Sequence, residues 1–500
     1  MRNAWTDKTW KRAILLAALA GILAIVPFAG HLLTKAHAAP TETSDGTAAT
    51  TQKDQVDLAV TVYNSNLALI RDTRQLDLPA GSFPLRFEDV AAAINPATVH
   101  IRSLTEPDKL GVLEQNYEYD LLDPQKLLQK YVGREVTLTR PIYSGKDVMW
   151  EEVKATLLAD NNGPVWKIGN QIVTGVSTNG YSFPELPENL YSVPTLVWSL
   201  ENKGSQAQRV EASYLTAGMN WNADYVLTVT RDEKSADIDG WVTLINNSGA
   251  AFKNAKLQLV AGEVNRVPSP QATPMNGRMM DKAMVSREEA FAQESFSEYH
   301  LYSLQRRTSI RNSESKQISL LNGTGIPVEK AFVVEGQQYY FRNPQSIGAP
   351  IKEPVQVFYR FKNEEKSGLG MPLPAGTVRV YQADSKGSLQ FVGESNITHT
   401  PKDEKLDLHI GNAFDIVSER KQMDYRRISD RVSEMEYQIT IRNHKTTPVT
   451  VEVKEPVGGD WEVLSSNYKW LKLDAFALGF DIPVAKDGTS VLTYRVRVHW

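Results

Sequence analysis

The sequence predicts an all-β protein: tandem antiparallel β-sandwich units of immunoglobulin-like type, with a small inserted β-barrel and few short helices. Three observations predict it. Apolar and polar residues alternate with period two in short stretches along most of the chain. Turn residues such as Asn64-Ser65-Asn66, Pro79-Ala80-Gly81 and Asn247-Ser248-Gly249 punctuate those stretches. The best helical pattern covers only residues 123–133. Strands separated by turns, without alternating helices, read as sandwiches rather than as a parallel sheet.

At the N-terminus, Arg2, Lys8, Lys11 and Arg12 form a basic leader, residues 13–28 an apolar run, and Ala36-His37-Ala38 the small-x-small pattern that signal peptidase reads. Pro27, Gly30 and His31 break the run, which makes it a poor version of the roughly 20-residue apolar helix a bilayer requires. Residues 1–38 are therefore expected to be a signal peptide, with an uncleaved anchor as the alternative. In both cases the rest of the chain is exported, to the periplasm or the cell surface. The chain has no cysteine, which excludes disulfides, a lipidated cysteine, a thiol nucleophile and a cysteine zinc site. The full chain carries −4, and residues 1–38 hold five basic side chains against Asp7, so residues 39–500 carry −8. An acidic product without a basic block does not suit nucleic acid or anionic lipid. Membrane contact is expected only through the N-terminal segment, if it is uncleaved.

Residues 39–56 contain no aromatic residue and are expected to be a flexible tether. Residues 57–122 form an N-terminal sandwich segment, opening on a hairpin in which Leu58, Val60 and Val62 alternate with Ala59, Thr61 and Tyr63. Residues 123–200 read as the small barrel. Its helix is capped by Asp123, starts on Pro124 and is stopped by Gly133, and strands follow at 134–139, 153–158, 165–168 and 171–174. A second sandwich spans 201–345, with strands at 225–230, 241–246 and 255–260. It is interrupted by a mobile excursion over 265–297, rich in proline, methionine and charge, where Ser286-Arg287-Glu288-Glu289 resembles a capping box. The C-terminal sandwich, 346–500, ends on a strand whose apolar face is Leu492, Tyr494, Val496, Val498 and Trp500. No fixed-period repeat is visible.

Six phrases carry a family resemblance: GMNWNADYVL from Gly218, EYHLYSL from Glu298, KQISLL from Lys316, GLGMPLPAGTVRVY from Gly368, VGESNITHTPKDE from Val392 and GNAFDI from Gly411. Over residues 56–500 the chain resembles the bacterial family called domain of unknown function 4139. The resemblance implies an exported, β-rich protein and supplies no catalytic residues.

The search for chemistry yields little. Of the eight histidines, none beyond the leader shows H-x-H or H-x-x-x-H spacing. The closest polar cluster is His399, Asp403, Glu404 and His409, which a turn could fold into a hard-ligand metal site; the simpler reading is a solvated hairpin tip beside a polar strand position. Met275, Met279, Met280 and Met284 are soft enough for Cu(I), but packing is their commoner use. No G-x-S-x-G elbow, Walker loop or dinucleotide fingerprint appears, so no cofactor is implied. Adjacent carboxylates such as Glu151/Glu152 would point to opposite faces of a strand, a weak basis for glycoside chemistry. Among the tryptophans, Trp221, in the polar context Asn220-Trp221-Asn222-Ala223-Asp224, and Trp461, after Gly458-Gly459-Asp460, are the candidates for a binding surface. The sequence thus points to a non-catalytic envelope scaffold or binding protein, with envelope protein or glycan as partner. The alternative is a hydrolase of envelope polymers. If the Ala38 site is processed, the intact mass of the exported protein should begin at Ala39; a product beginning at Met1 would establish an anchored ectodomain instead.

Overall fold

The long strands form as the alternation requires. In Ser235–Asn246 every second side chain from Ala236 onward is buried, and Met219–Val229 and Val432–Asn443 repeat the pattern. A pleated strand places all of these on one face, and each such face closes on a second layer. The computed structural model describes residues 41–42, 48–118, 121–144, 147–187, 190–262, 264–265 and 291–500. Among them six sheets and one α-helix carry the fold, which is all-β in class. These described residues form one compact unit.

Pairing does not follow chain order. Gln55–Tyr63 turns at Asn66, whose φ of 54° is one asparagine tolerates, into antiparallel Leu67–Asp77. Its other edge pairs in parallel with Phe252–Ala261. Met219–Val229 likewise runs antiparallel to Ser235–Asn246 and parallel to Gly376–Ala383. One large core therefore takes side chains from Leu58 and Leu85 through Trp198, Leu244 and Leu257 to Leu408. A second core lies between two sheets of the C-terminal half. The first sheet supplies Phe332, Val453 and Phe480, and the second Tyr437, Ile439, Tyr494 and Val496.

The segment expected to be a small barrel is an open sheet. Its five strands run in the order Gln171–Thr174, Pro164–Ile168, Asp147–Asp160, Glu135–Ser144, Gly180–Ser182. The two outermost are only four and three residues long and pair with nothing further among the described residues, so the sheet does not close. The helix Pro124–Lys130 covers its core instead. Asp123 caps it as expected, its carboxylate accepting from the backbone N–H groups of Gln125 and Lys126, both at 2.9 Å. Leu128 and Tyr131 then pack with Val136, Leu138, Leu157 and Trp166.

Three other expectations change. The expected tether carries strands: Thr41–Glu42 pairs antiparallel with Ala48–Thr50, which pairs in parallel with Gly81–Glu88, and the hydroxyl of buried Thr50 donates to Asp54 and accepts from Arg74. The last part of the expected excursion, Phe291–Phe296, is a strand antiparallel to Tyr299–Leu304. The signal peptide, the four methionines and the capping box at Ser286 lie outside the described residues. The apolar face of the last strand, Gly488–His499, ends at Val498; Trp500 lies beyond it, half exposed, with the Arg342 guanidinium 5.3 Å from its ring.

Leu492, Tyr494, Val496 and Val498 are fully buried, and Gly488–His499 pairs on both edges, with Val432–Asn443 and Asp460–Ser466. Burying each such side chain stabilises by roughly 1.5–3 kcal/mol, against about 5–15 kcal/mol for a whole domain. Deleting residues 495–500 should unfold or aggregate the C-terminal half; an unchanged melting curve would show the strand end to be dispensable.

Candidate binding edge

The sheet pair around the second core has two neighbouring edges. Asp460–Ser466 is the outermost strand of one sheet and Trp470–Asp474 the outermost of the other, and residues 467–469 connect them. Gly459 starts the first edge at φ 75°, where a Cβ would run into the His499 carbonyl, so only glycine makes this turn comfortably. Trp461 follows. Its indole N–H donates to the Ala475 carbonyl at 2.9 Å, its ring meets Trp470 edge-on at 6.1 Å, and the Lys472 ammonium sits 5.4 Å from it. These contacts fix Trp461, half-buried, as the base of the site. Trp470 is 42% exposed and Phe476 62%, with Leu471 and Leu473 between them also open to solvent. Successive side chains alternate, so Trp470, opposite core Phe480, lies on the inner side with Trp461, and Leu471 and Leu473 lie on the outer side. Among the described residues the strand has one free backbone edge, a geometry that accepts an added strand. The run Trp470-Leu471-Lys472-Leu473 reads as a strand, but nothing in it signals that the strand ends a sheet.

Trp221, the other candidate, is a core residue and not a surface platform. It is 1% exposed in the middle of Met219–Val229, its N–H donates to the Val260 carbonyl at 3.3 Å, and its ring packs against Tyr302. The polar neighbours that suggested a surface position are the outward half of a period-two strand: Asn220, Asn222 and Asp224 alternate with buried Trp221 and Ala223.

The four candidate metal ligands are not brought together. His399 accepts the Ala375 backbone N–H at 3.1 Å, while Asp403 takes φ 68° at the hairpin tip and its N–H donates to the Asn363 carbonyl. The Glu404 carbonyl accepts from Asn363, and His409 stacks obliquely on Phe358 at 5.1 Å. Among the described residues no group of three or more histidine and carboxylate side chains is placed to hold a metal ion.

Two features had no sequence signal. Phe414, within GNAFDI, is 94% exposed beside a shallow cleft of about 230 Å³ lined also by Phe332, Val392, Ile410 and Lys445. The other is a buried charge cluster inside the second core. Arg420 donates to Glu353 at 2.8 Å, to Glu455 at 2.6 Å and to the Tyr494 hydroxyl at 3.4 Å. One guanidinium thus faces two carboxylates, and Glu353 Oε2 and Glu455 Oε2 have no hydrogen-bond partner. Gly336 makes the room: a Cβ there would run into the Glu455 carboxylate. Burial pushes the Glu455 carboxyl up to about 7, against the opposing pull of Arg420. With Arg420 and Glu455 sealed from solvent, the cluster is a structural element.

The fold and the edge define a cysteine-free all-β protein of several packed sheets with an exposed apolar margin. The chain belongs to the family described as Domain of unknown function (DUF4139), whose sequence model matches residues 210–459. All six phrases fall within that stretch. No curated protein matches the chain.

Glu455 binds its proton more tightly in the folded than in the unfolded chain, where the ordinary value is 4.5. Its contribution to stability is full below that value and is lost as pH rises through about 7. The melting temperature should therefore fall between pH ~5 and ~8, and Glu455→Gln should flatten that slope. Arg420→Ala, which strands two buried carboxyls, should cost about 3–5 kcal/mol. A pH slope unaltered by Glu455→Gln would refute the assignment.

Proposed function

We propose that this is an exported, non-catalytic protein of the cell envelope, whose immunoglobulin-like sandwich units hold a binding edge for another envelope protein. The observation that carries the reading is the exposed edge Trp470, Leu471, Leu473 and Phe476, seated on Trp461. Large aromatic side chains in the open are anchors for partners, and aliphatic neighbours on an edge strand favour a protein surface over a sugar ring. Glycan stacking on Trp470 is the narrower alternative. A hydrolase reading would need convergent acid and base groups, and the residues best suited by sequence, His399, Asp403, Glu404 and His409, face their own hairpin and strand neighbours.

The test is capture of envelope proteins and of purified cell-wall glycan on residues 39–500, with two variants in parallel. Trp470→Ala with Phe476→Ala should lower capture of one defined partner by about tenfold or more at an unchanged melting temperature. Alanine at His399, Asp403, Glu404 and His409 together should leave capture intact. Loss of function confined to the quadruple variant would favour the hydrolase.

A further inference from the structure

The sheet that carries the helix also carries a protruding ribbon. Glu135–Ser144 and Asp147–Asp160 pair along their whole shared length, but their flanking strands stop short. Gly180–Ser182 meets the first only at Thr137, Leu138 and Thr139, and Pro164–Ile168 meets the second only between Thr156 and Asp160. Beyond Arg140 and Glu151 the two strands pair, among the described residues, only with each other.

On this free length Pro141 pairs with Trp150, Ile142 with Met149, and Tyr143 with Val148. Paired residues share a face and successive pairs alternate, so Ile142 and Met149 lie on one side and Trp150, Tyr143 and Val148 on the other. All five are exposed, Tyr143 by 74% and Trp150 by 55%. A ribbon covering a protein surface needs one apolar face. This one is apolar on both, which suits a medium that closes around it.

Charge points the same way. At the base of the free length Arg140 and Glu151 pair with each other at 2.7 Å, and Lys154 pairs with Glu135 at 2.9 Å. These pairs neutralise themselves, and the exposed Asp147 and Glu152 beside them leave the ribbon net negative, so an anionic surface is disfavoured and a zwitterionic boundary is what the tip complements. The three residues from Arg140 to Tyr143 span about 10 Å at roughly 3.3 Å each, close to the 5–10 Å depth of interfacial insertion. Tyr and Trp are the side chains that settle at such a boundary. The ribbon's outer backbone edges lack strand partners, which confines it to the hydrated headgroup zone rather than the hydrocarbon interior.

We infer that the tip formed by Pro141, Ile142, Tyr143, Val148, Met149 and Trp150 inserts into the interface of an electrically neutral lipid bilayer, a contact separate from any the N-terminal segment makes. The test is flotation of residues 39–500, which lack that segment, with vesicles of zwitterionic phosphatidylcholine. The wild type should float, and the triple variant Ile142→Ser, Met149→Ser, Trp150→Ser should float about tenfold less or worse while melting at the same temperature. Brominated phosphatidylcholine should quench tryptophan emission in the wild type and more weakly in Trp150→Phe. Equal flotation of wild type and variant, absence of flotation, or binding only to anionic vesicles would overturn the inference. So would a tip-dependent dimer in lipid-free solution that dissociates in the triple variant, which would assign the tip to a second copy.

Discussion

Three parallel pairings between distant strands hold this architecture together: Gln55–Tyr63 with Phe252–Ala261, Met219–Val229 with Gly376–Ala383, and Glu329–Glu335 with Val449–Pro456. Each places a strand between an antiparallel neighbour close in sequence and a parallel one more than a hundred residues away. In a chain without cysteine no covalent staple can enforce such closures, so the buried face on either side of each pairing must. The entropic penalty of a long loop grows only slowly with its length, which makes wide closures tolerable at equilibrium. They do slow folding, because the contacts that reward closure come late. The large core, running from Leu58 to Leu408, is the consequence: the segments around 57–122 and 201–345 complete one another's sheets.

This constraint also marks what could be read from the residues. Strand existence was legible, because period two is local: Gln171–Thr174 appears at its expected bounds, and Val432–Asn443 and Gly488–His499 lie where Ile439 and Tyr494 alternate with polar neighbours. The helix Pro124–Lys130 was legible from its cap, since Asp123 and Pro124 act within one turn. Strand partnership was not, because alternation says that a face is buried and not by which sheet. The barrel expectation failed for that reason. The four short strands read at 134–174 look alike whether the sheet closes or stays open, and closure depends on the lengths of Gln171–Thr174 and Gly180–Ser182 as edges.

The candidate site divides along the same line. Trp221 and Trp461 both sit among polar residues in sequence, yet one is in the core and the other at a sheet edge. What separates them is strand position within the sheet: Met219–Val229 has neighbours on both sides, whereas Asp460–Ser466 has one. Exposed apolar groups at 142–150 and 470–476 were invisible for the complementary reason. An apolar residue on a strand is normally evidence of burial, and only the absence of a flanking strand or covering sheet turns it outward.

Natural sheets usually blunt such margins with charge, proline or a covering loop, because an apolar free edge invites aggregation. Here both apolar margins keep only partial guards. Lys472 is drawn over the Trp461 ring, while Arg140 and Glu151 neutralise each other behind the ribbon tip. Leaving two such surfaces on an otherwise alternating, acidic chain has a cost in solubility that burial in the fold does not offset. Both also lie outside the stretch 210–459 that matches the family, whereas Phe414 and the charged groups of Glu353, Arg420 and Glu455 lie inside it. The matched region supplies only part of the central sheets, which Gln55–Tyr63 and Leu67–Asp77 complete around the first core and Ala477–Val484 and Gly488–His499 around the second. The two exposed apolar margins thus belong to the flanking segments, while the exposed Phe414 and its cleft belong to the matched one.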